Sequence, residues 1–78
     1  MKQIFATPMR DINKYSSDRT VTQGLFNDKP AAYLTSGSME LGEYVEVFSR
    51  VSGRSQGYFK PTHLVTLEDA KGLVLIEN

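Results

Sequence analysis

Apolar and polar positions in the middle of the chain predict two strands joined by a tight turn. The segment Thr20–Phe26 is rich in β-branched and apolar residues, which favours a strand. Asn27 and Asp28 form a good turn pair, because both residues tolerate left-handed backbone angles. Residues 31–35 then form the second strand. Pro30 belongs at the start or on an edge of this strand, because proline has no N–H to give to a sheet ladder.

A short amphipathic helix is predicted near the amino terminus, after a strand candidate at residues 2–5. Thr7 is suited to cap a helix through its side-chain oxygen, and proline at the first helical position loses no hydrogen bond. The apolar residues that follow lie at helical spacing: Met9, Ile12 and Tyr15. We therefore predict a helix over residues 7–15.

Residues 39–50 fit two templates, a helix and a strand. Four apolar residues lie at positions i, i+3, i+4 and i+7 of a helix: Leu41, Tyr44, Val45 and Phe48. Glu46 precedes Arg50 by four residues, which is the better order for an ion pair along a helix. Gly42 and the valines suit a strand instead. The apolar spacing favours the helix, and the strand stays open as the alternative.

The last third of the chain contains a breaker, an extended piece and a helix start. Residues 52–57 are rich in loop-favouring serine and glycine. Residues 57–61 are predicted to be extended, because proline pushes the residue before it toward extended angles. Thr66 and Asp69 form a capping box that opens a last helix running through Val74.

Length and composition limit what the chain can be. A chain of 78 residues forms one small domain at most, and such a domain buries only slightly more than ~60% of its unfolded surface. With no cysteine and one histidine, the chain has oligomerisation left as a source of added stability. The amino terminus lacks the apolar core of a signal peptide, and no apolar run is long enough to cross a bilayer. We expect a soluble, cytoplasmic protein.

Few residues in the chain suggest chemistry, which favours a binding protein over an enzyme. His63 lies in an extended piece with no evident nucleophile and orienting partner. No carboxylates occur at the spacing of a calcium loop, and the glycines form no phosphate loop. We expect no catalytic residue, metal or cofactor.

Charge is unevenly divided although the net charge is zero. Residues 1–36 carry five lysines and arginines against three aspartates, and residues 37–78 carry four against six acidic residues. This asymmetry weakly suggests a polyanionic partner for the first part and a different partner for the second.

Several motifs occur in a series along the chain. They are Ala6-Thr7-Pro8-Met9-Arg10-Asp11, then Lys14-Tyr15, and then a hairpin whose second arm is Asn27-Asp28-Lys29-Pro30-Ala31-Ala32-Tyr33-Leu34-Thr35-Ser36. Phe59-Lys60-Pro61-Thr62 and a leucine-rich tail follow. This series resembles the prevent-host-death antitoxins, the Phd/YefM family, and within it the YafN-like branch.

The resemblance implies an α+β fold, a small antiparallel sheet with helices, and an antitoxin of a type II toxin–antitoxin system. Residues 1–51 would form the homodimer and bind operator DNA to repress the operon, and residues 52–78 would bind and neutralise a cognate toxin. The DNA contacts would be Arg10, Lys14 and Lys29. Lys29 would contact phosphate only, because Phe26 stands near the place of a second family arginine. The toxin contacts would be Tyr58, Phe59, Lys60, Leu64, Leu67 and Val74.

A second hypothesis, from a different class, is a small SH3-like β-barrel that binds peptides. Residues 44–48, a glycine-rich turn and residues 57–65 look like the last strands of such a barrel. The chain has no tryptophan, so it lacks the paired tryptophans of that module's groove, and the barrel leaves residues 1–30 unexplained. The two hypotheses differ at residues 39–50, which are helix in the antitoxin and strand in the barrel.

Overall fold

The computed structural model describes residues 2–9, 12–34 and 39–77, and these form a closed six-stranded β-barrel. In chain order the strands are β1 (Lys2–Pro8), β2 (Thr20–Phe26), β3 (Lys29–Leu34), β4 (Val45–Ser49), β5 (Ser55–Thr66) and β6 (Val74–Glu77). Within these residues a short 3-10 helix spans Ile12–Lys14, and a single four-residue α-helix, α1 (Leu67–Ala70), lies between β5 and β6. The order around the barrel is β1-β4-β5-β2-β3-β6.

The predicted α+β fold is wrong, because the described residues form a closed β-barrel in place of a small sheet with helices. Of the predicted helix at residues 7–15, Ile12–Lys14 forms the 3-10 helix, and residues 10–11 lie outside the described residues. Within the predicted helix at residues 7–15, Thr7 and Pro8 belong to β1, where they lie opposite Glu77 and Ile76 of β6. This antiparallel pairing closes the barrel. Thr7 and Pro8 could begin a local helix. Their pairing with Glu77 and Ile76 of β6 instead places them in a strand.

The helix favoured over residues 39–50 is also wrong, and the strand alternative is correct for Val45–Ser49. This strand pairs in parallel with β1 and antiparallel with β5. Val45 and Val47 are buried while Tyr44 is exposed, which is the alternation of a strand with one face toward a core. The β-branched residues suit this strand, and its pairing with β1 and β5 outweighs the helical spacing of the apolar positions.

The hairpin predicted in the middle of the chain is confirmed. The segment Thr20–Phe26 is β2 with the predicted bounds, and Asn27 and Asp28 form the turn with φ angles of 50° and 67°. The next strand begins at Lys29, earlier than predicted. Pairing with β6 begins only at Ala31, so the missing N–H of Pro30 removes no bond from that ladder.

The predicted cap by Thr66 is also confirmed, but the helix after it is shorter than predicted. The Asp69 N–H donates to the Thr66 hydroxyl oxygen at 3.3 Å, and Thr66 is the N-cap of α1. The helix ends at Ala70, and Val74 begins β6 instead of continuing the helix. The predicted extended segment at residues 57–61 is confirmed as part of β5.

The core has two layers because β3 is buried on both faces. The inner cluster fills the barrel and consists of Ala6, Ala31, Tyr33, Val47, Phe59 and Ile76. The outer cluster consists of Val21, Ala32, Leu34, Leu67 and Ala70. Successive residues of a strand face opposite sides, so Ala31 and Tyr33 face the interior while Ala32 and Leu34 pack outside against α1.

The predicted division between residues 1–51 and 52–78 falls in the turn between β4 and β5. Both β5 and β6 pair with strands from the first part of the chain, and so belong to the same barrel. The assignment of separate functions to the two parts stays a prediction.

The side chain of Asn27 joins the hairpin turn to β5. Its Nδ2 donates to the Gln56 carbonyl at 3.0 Å, and its Oδ1 accepts from the Tyr58 N–H at 3.1 Å. The Asn27 N–H also donates to the Tyr58 carbonyl at 3.0 Å. The Asn27 side chain lies where Gly57, with φ of 127°, would carry a Cβ. Asn27 therefore both favours the hairpin turn and fixes that turn to β5.

Candidate functional site

Two tyrosines and a leucine form an exposed apolar surface on the outside of the barrel. Val45 and Phe59 point inward, so the residues next to them in sequence, Tyr44 and Tyr58, point outward. Tyr44 is 51% exposed and Tyr58 is 42% exposed. Leu25 of β2 is also exposed and completes the surface. Large apolar side chains held in solvent on strands, or directly before one as Tyr44 is before β4, are suited to contact another molecule.

These three residues line a shallow groove, which we call the tyrosine groove. It is made of Leu25, Asn27, Asp28, Tyr44 and Tyr58, with a volume of about 250 Å³. The hairpin turn supplies Asn27 and Asp28, and the hydrogen bonds from Asn27 to β5 hold that turn beside Tyr58. The groove therefore combines aromatic walls with a carboxylate at one end.

Charged side chains of both signs surround the tyrosine groove. Lys60 lies opposite Leu25 in the sheet, and its Nζ is 5.5 Å from the centre of the Tyr44 ring. Glu46 lies opposite Tyr58. The groove has no excess of positive charge of the kind that attracts a nucleic-acid backbone.

A second aromatic contact lies on the neighbouring strands. Phe5 of β1 is paired with Phe48 of β4, and their ring centres are 5.5 Å apart. Phe5 is about half exposed. This pair adds apolar surface beside Glu46 on the outer face of β4.

The six residues predicted to contact a toxin are distributed between the core and the surface. Phe59 and Leu67 are fully buried, so in this fold neither side chain is available to a partner. Tyr58 lines the tyrosine groove, and Lys60 lies beside it. Leu64 and Val74 are exposed elsewhere on the barrel. The assignment of these residues to toxin binding stays a prediction.

Two of the three residues predicted to contact DNA, Lys14 and Lys29, are not brought together in the described structure. Arg10 lies outside the described residues. Lys14 contacts Glu77 of β6, with Nζ 3.4 Å from Oε1. Glu77 is opposite Leu34, five residues along β3 from Lys29, which is about 16 Å at ~3.3 Å per residue. Lys14 and Lys29 therefore lie toward opposite ends of the barrel, and DNA binding stays a prediction.

Glu77 is the centre of a small polar cluster that includes Lys14. The Tyr15 hydroxyl donates to Glu77 Oε2 at 2.7 Å. This hydrogen bond, together with Lys14, lowers the pKa of the Glu77 carboxyl from its ordinary value, although burial opposes the shift. The same hydrogen bond raises the pKa of the Tyr15 hydroxyl, and Lys14 and Arg19 oppose that shift.

Substitution of Tyr15 by phenylalanine is expected to raise the pKa of Glu77 and to destabilise the protein at neutral pH. A carboxyl whose pKa is lower in the folded than in the unfolded state stabilises the fold above its unfolded pKa. That stabilisation is lost as the pH falls through the folded pKa. The unfolding free energies of the wild type and Tyr15→Phe should therefore differ at pH 7 and converge in acid. A difference that stays constant down to acidic pH would contradict the proposed link.

Tyr44 and Leu25 are groove residues that the sequence reasoning missed. The signal for Tyr44 was present in the alternation of Tyr44, Glu46 and Phe48 with Val45 and Val47. A strand with this pattern places Tyr44 on the outer face.

The single histidine of the chain lies on β5 beside a threonine hydroxyl. His63 Nδ1 lies 2.9 Å from the Thr62 hydroxyl, which donates to the Gln23 carbonyl at 3.1 Å. Within residues 2–9, 12–34 and 39–77, no group of three or more metal-binding side chains comes together. No helix in that part of the chain has the length and apolarity to cross a membrane.

Comparisons with protein-family models, with curated proteins and with solved structures find no match to this chain.

Proposed function

We propose that this protein is a small β-barrel interaction module, a binding protein rather than an enzyme, that takes an extended peptide in the tyrosine groove. The observation that carries the proposal is the pair of half-exposed tyrosines, Tyr44 and Tyr58, which line one groove together with Leu25. Tyrosine provides a large contact area at a low cost in conformational entropy, and it keeps a polar group at the surface.

The groove is best suited to a proline-containing extended segment. Grooves lined by aromatic side chains bind the polyproline II conformation, which loses little entropy on binding because it is already extended. The tyrosines would serve where other peptide-binding barrels use tryptophan. Asp28 and Glu46 carry two negative charges against the one positive charge of Lys60, which favours a peptide over a nucleic acid.

The antitoxin hypothesis stays a prediction, together with its cognate toxin, operator DNA and homodimer. Its expected helices cover residues 7–15 and 39–50, where Thr7, Pro8 and Val45–Ser49 lie in strands. The barrel therefore supports the hypothesis of an interaction module better than the antitoxin hypothesis. Copurification of a small protein that arrests growth when expressed alone would favour the antitoxin over the module.

The proposed function predicts that Tyr44→Ala and Tyr58→Ala each weaken binding of a peptide selected from a displayed random library. Truncation of an aromatic anchor at the centre of an interface costs about 2 kcal/mol, which is roughly 30-fold in Kd. Isothermal titration calorimetry with the selected peptide measures the effect. The matched control is Leu64→Ala, because Leu64 is an exposed apolar residue of β5 that does not line the groove.

The outcome of this titration separates the groove from other surfaces. Wild-type affinity in Leu64→Ala with weak binding in both tyrosine variants supports the proposal. A library that yields no ligand, or a ligand that binds all three variants equally, contradicts it.

A further inference from the structure

One end of the barrel is open to solvent within the part of the chain that the structure describes. Val74 and Ile76 lie two residues apart in β6, so both face the barrel interior. Ile76 is only 8% exposed, whereas Val74 is 59% exposed. An inward-facing residue with this exposure indicates that no side chain of the described residues closes the barrel at the start of β6.

The opening leads into an apolar cavity of about 200 Å³. Its apolar walls include Phe26, Val47, Val74 and Ile76. Ala6 also lines the cavity, and its small side chain leaves space that a larger residue would fill. Mouths of β-barrels are common places for small-molecule sites, because inward-facing side chains there surround a space without filling it.

A second cavity, of about 260 Å³, adjoins the first. Phe26 and Val74 line both cavities, and Lys29 lines only the second. Among the described residues that line the two cavities, Lys29 is the one with a charged side chain. No ion pair is formed by Lys29 within the described part of the chain. The opening therefore combines an apolar interior with a cation at its rim.

We propose that the open end of the barrel binds a small carboxylate with an apolar chain. The chain lies against Phe26, Val47 and Val74, and the carboxylate contacts the Lys29 ammonium group at the rim. A hydrogen bond between two charged groups is stronger than one between neutral groups, and apolar surroundings strengthen it further. The cavity inside the barrel holds roughly seven groups of ~30 Å³ each, which matches a ligand the size of hexanoate.

This site meets the tyrosine groove at Asn27, which lines both the groove and the second cavity. The substitutions that test each site leave Asn27 unchanged. Tyr44 and Tyr58 are on the outer face of the barrel, whereas Val47 and Ile76 are on the inner face. Peptide binding and carboxylate binding are therefore expected to fail independently when one site is altered.

Titration of the methyl-labelled protein with hexanoate, followed by NMR, tests this proposal. We expect saturable shifts of the Val47, Val74 and Ile76 methyl signals. Lys29→Gln is expected to weaken hexanoate binding about tenfold and to leave hexan-1-ol binding unchanged, because the alcohol has no charge for Lys29 to contact. Val74→Phe is expected to fill the opening and abolish binding of both compounds, whereas Leu64→Ala, the exposed control, retains both.

The proposal has two parts, the cavity as a binding site and Lys29 as the contact for the carboxylate, and a different result would contradict each. Shifts that do not saturate, or that lie away from the opening, would overturn the cavity as a binding site. Hexanoate binding that is equally strong in wild type and Lys29→Gln would overturn the recognition of a carboxylate.

Discussion

Phe59→Ala is expected to lower the free energy of unfolding by about 3–5 kcal/mol, the usual cost of deleting a buried phenylalanine ring. The Phe59 ring is fully buried, and its centre is 6.3 Å from that of Tyr33. Its strand neighbours are Phe26 on one side and Val45 on the other. Truncation therefore leaves a cavity at the middle of the barrel. The total stability of a chain this long is on the order of 4–12 kcal/mol, at ~0.05–0.15 kcal/mol per residue.

Urea denaturation followed by circular dichroism measures this loss, and Tyr58→Ala is the matched control. Tyr58 is the preceding residue of the same strand and also aromatic, but it points outward. Its truncation should cost less than about 1 kcal/mol, since surface substitutions have small effects. Equal losses in the two variants would contradict the inward orientation of Phe59.

The burial of Phe59 also changes how its predicted role in toxin binding is tested. A variant that combines Phe59→Ala with Leu67→Ala removes two fully buried side chains, one from each core cluster. Weak toxin binding by this variant would therefore reflect loss of the fold and not loss of a contact with the toxin. Exposed residues such as Tyr58 are the informative positions for any partner.

Gly57→Ala is expected to lower the free energy of unfolding by about 3 kcal/mol. The φ angle of 127° is costly for alanine, at roughly 1–3 kcal/mol for a residue in a sparsely populated region. The new Cβ would also overlap the Asn27 side chain and break its bonds to Gln56 and Tyr58. Each lost hydrogen bond adds about 0.5–1.5 kcal/mol.

Gly53→Ala is the matched control for this prediction. Gly53 has a φ angle of 75° but open space where a Cβ would lie. Alanine at this position should therefore lower the free energy of unfolding only by the cost of the left-handed backbone, about 1–2 kcal/mol. Thermal unfolding of both variants, in the wild-type and Asn27→Ala backgrounds, separates the overlap from the backbone term. The two substitutions should be non-additive for Gly57 and additive for Gly53. Equal effects of Gly57→Ala and Gly53→Ala would contradict the role of Asn27.

The features predicted correctly from the sequence are those set by neighbouring residues. Asn27 and Asp28 tolerate the left-handed angles that they adopt here, so the hairpin turn is visible in two neighbouring residues. The Thr66 cap acts on a backbone group three residues away. Such local chemistry is visible in a single sequence.

The features predicted wrongly depend on partners that are distant in sequence. Val45–Ser49 becomes a strand beside β1, which lies more than 40 residues earlier in the chain. Thr7 and Pro8 are held by the last strand, β6, at the other end of the chain. Apolar spacing in each segment was compatible with a helix, and only the long-range pairing excluded it.

The candidate site could be predicted only in part, because it too depends on pairing between strands. Tyr58 is one of the toxin contacts that the family resemblance implies, and it lines the groove. Tyr44 was assigned to a helix and so could not be placed beside Tyr58. The groove exists only because β4 and β5 pair, which brings the two tyrosines together.

The most direct test of the tyrosine groove is an NMR shift map of the labelled protein with a peptide selected against it. The proposed function predicts that the largest shifts fall on Leu25, Asn27, Asp28, Tyr44 and Tyr58, with little change at Phe5 and Leu64. Shifts centred on any other surface, with the groove signals unchanged, would contradict the proposed function.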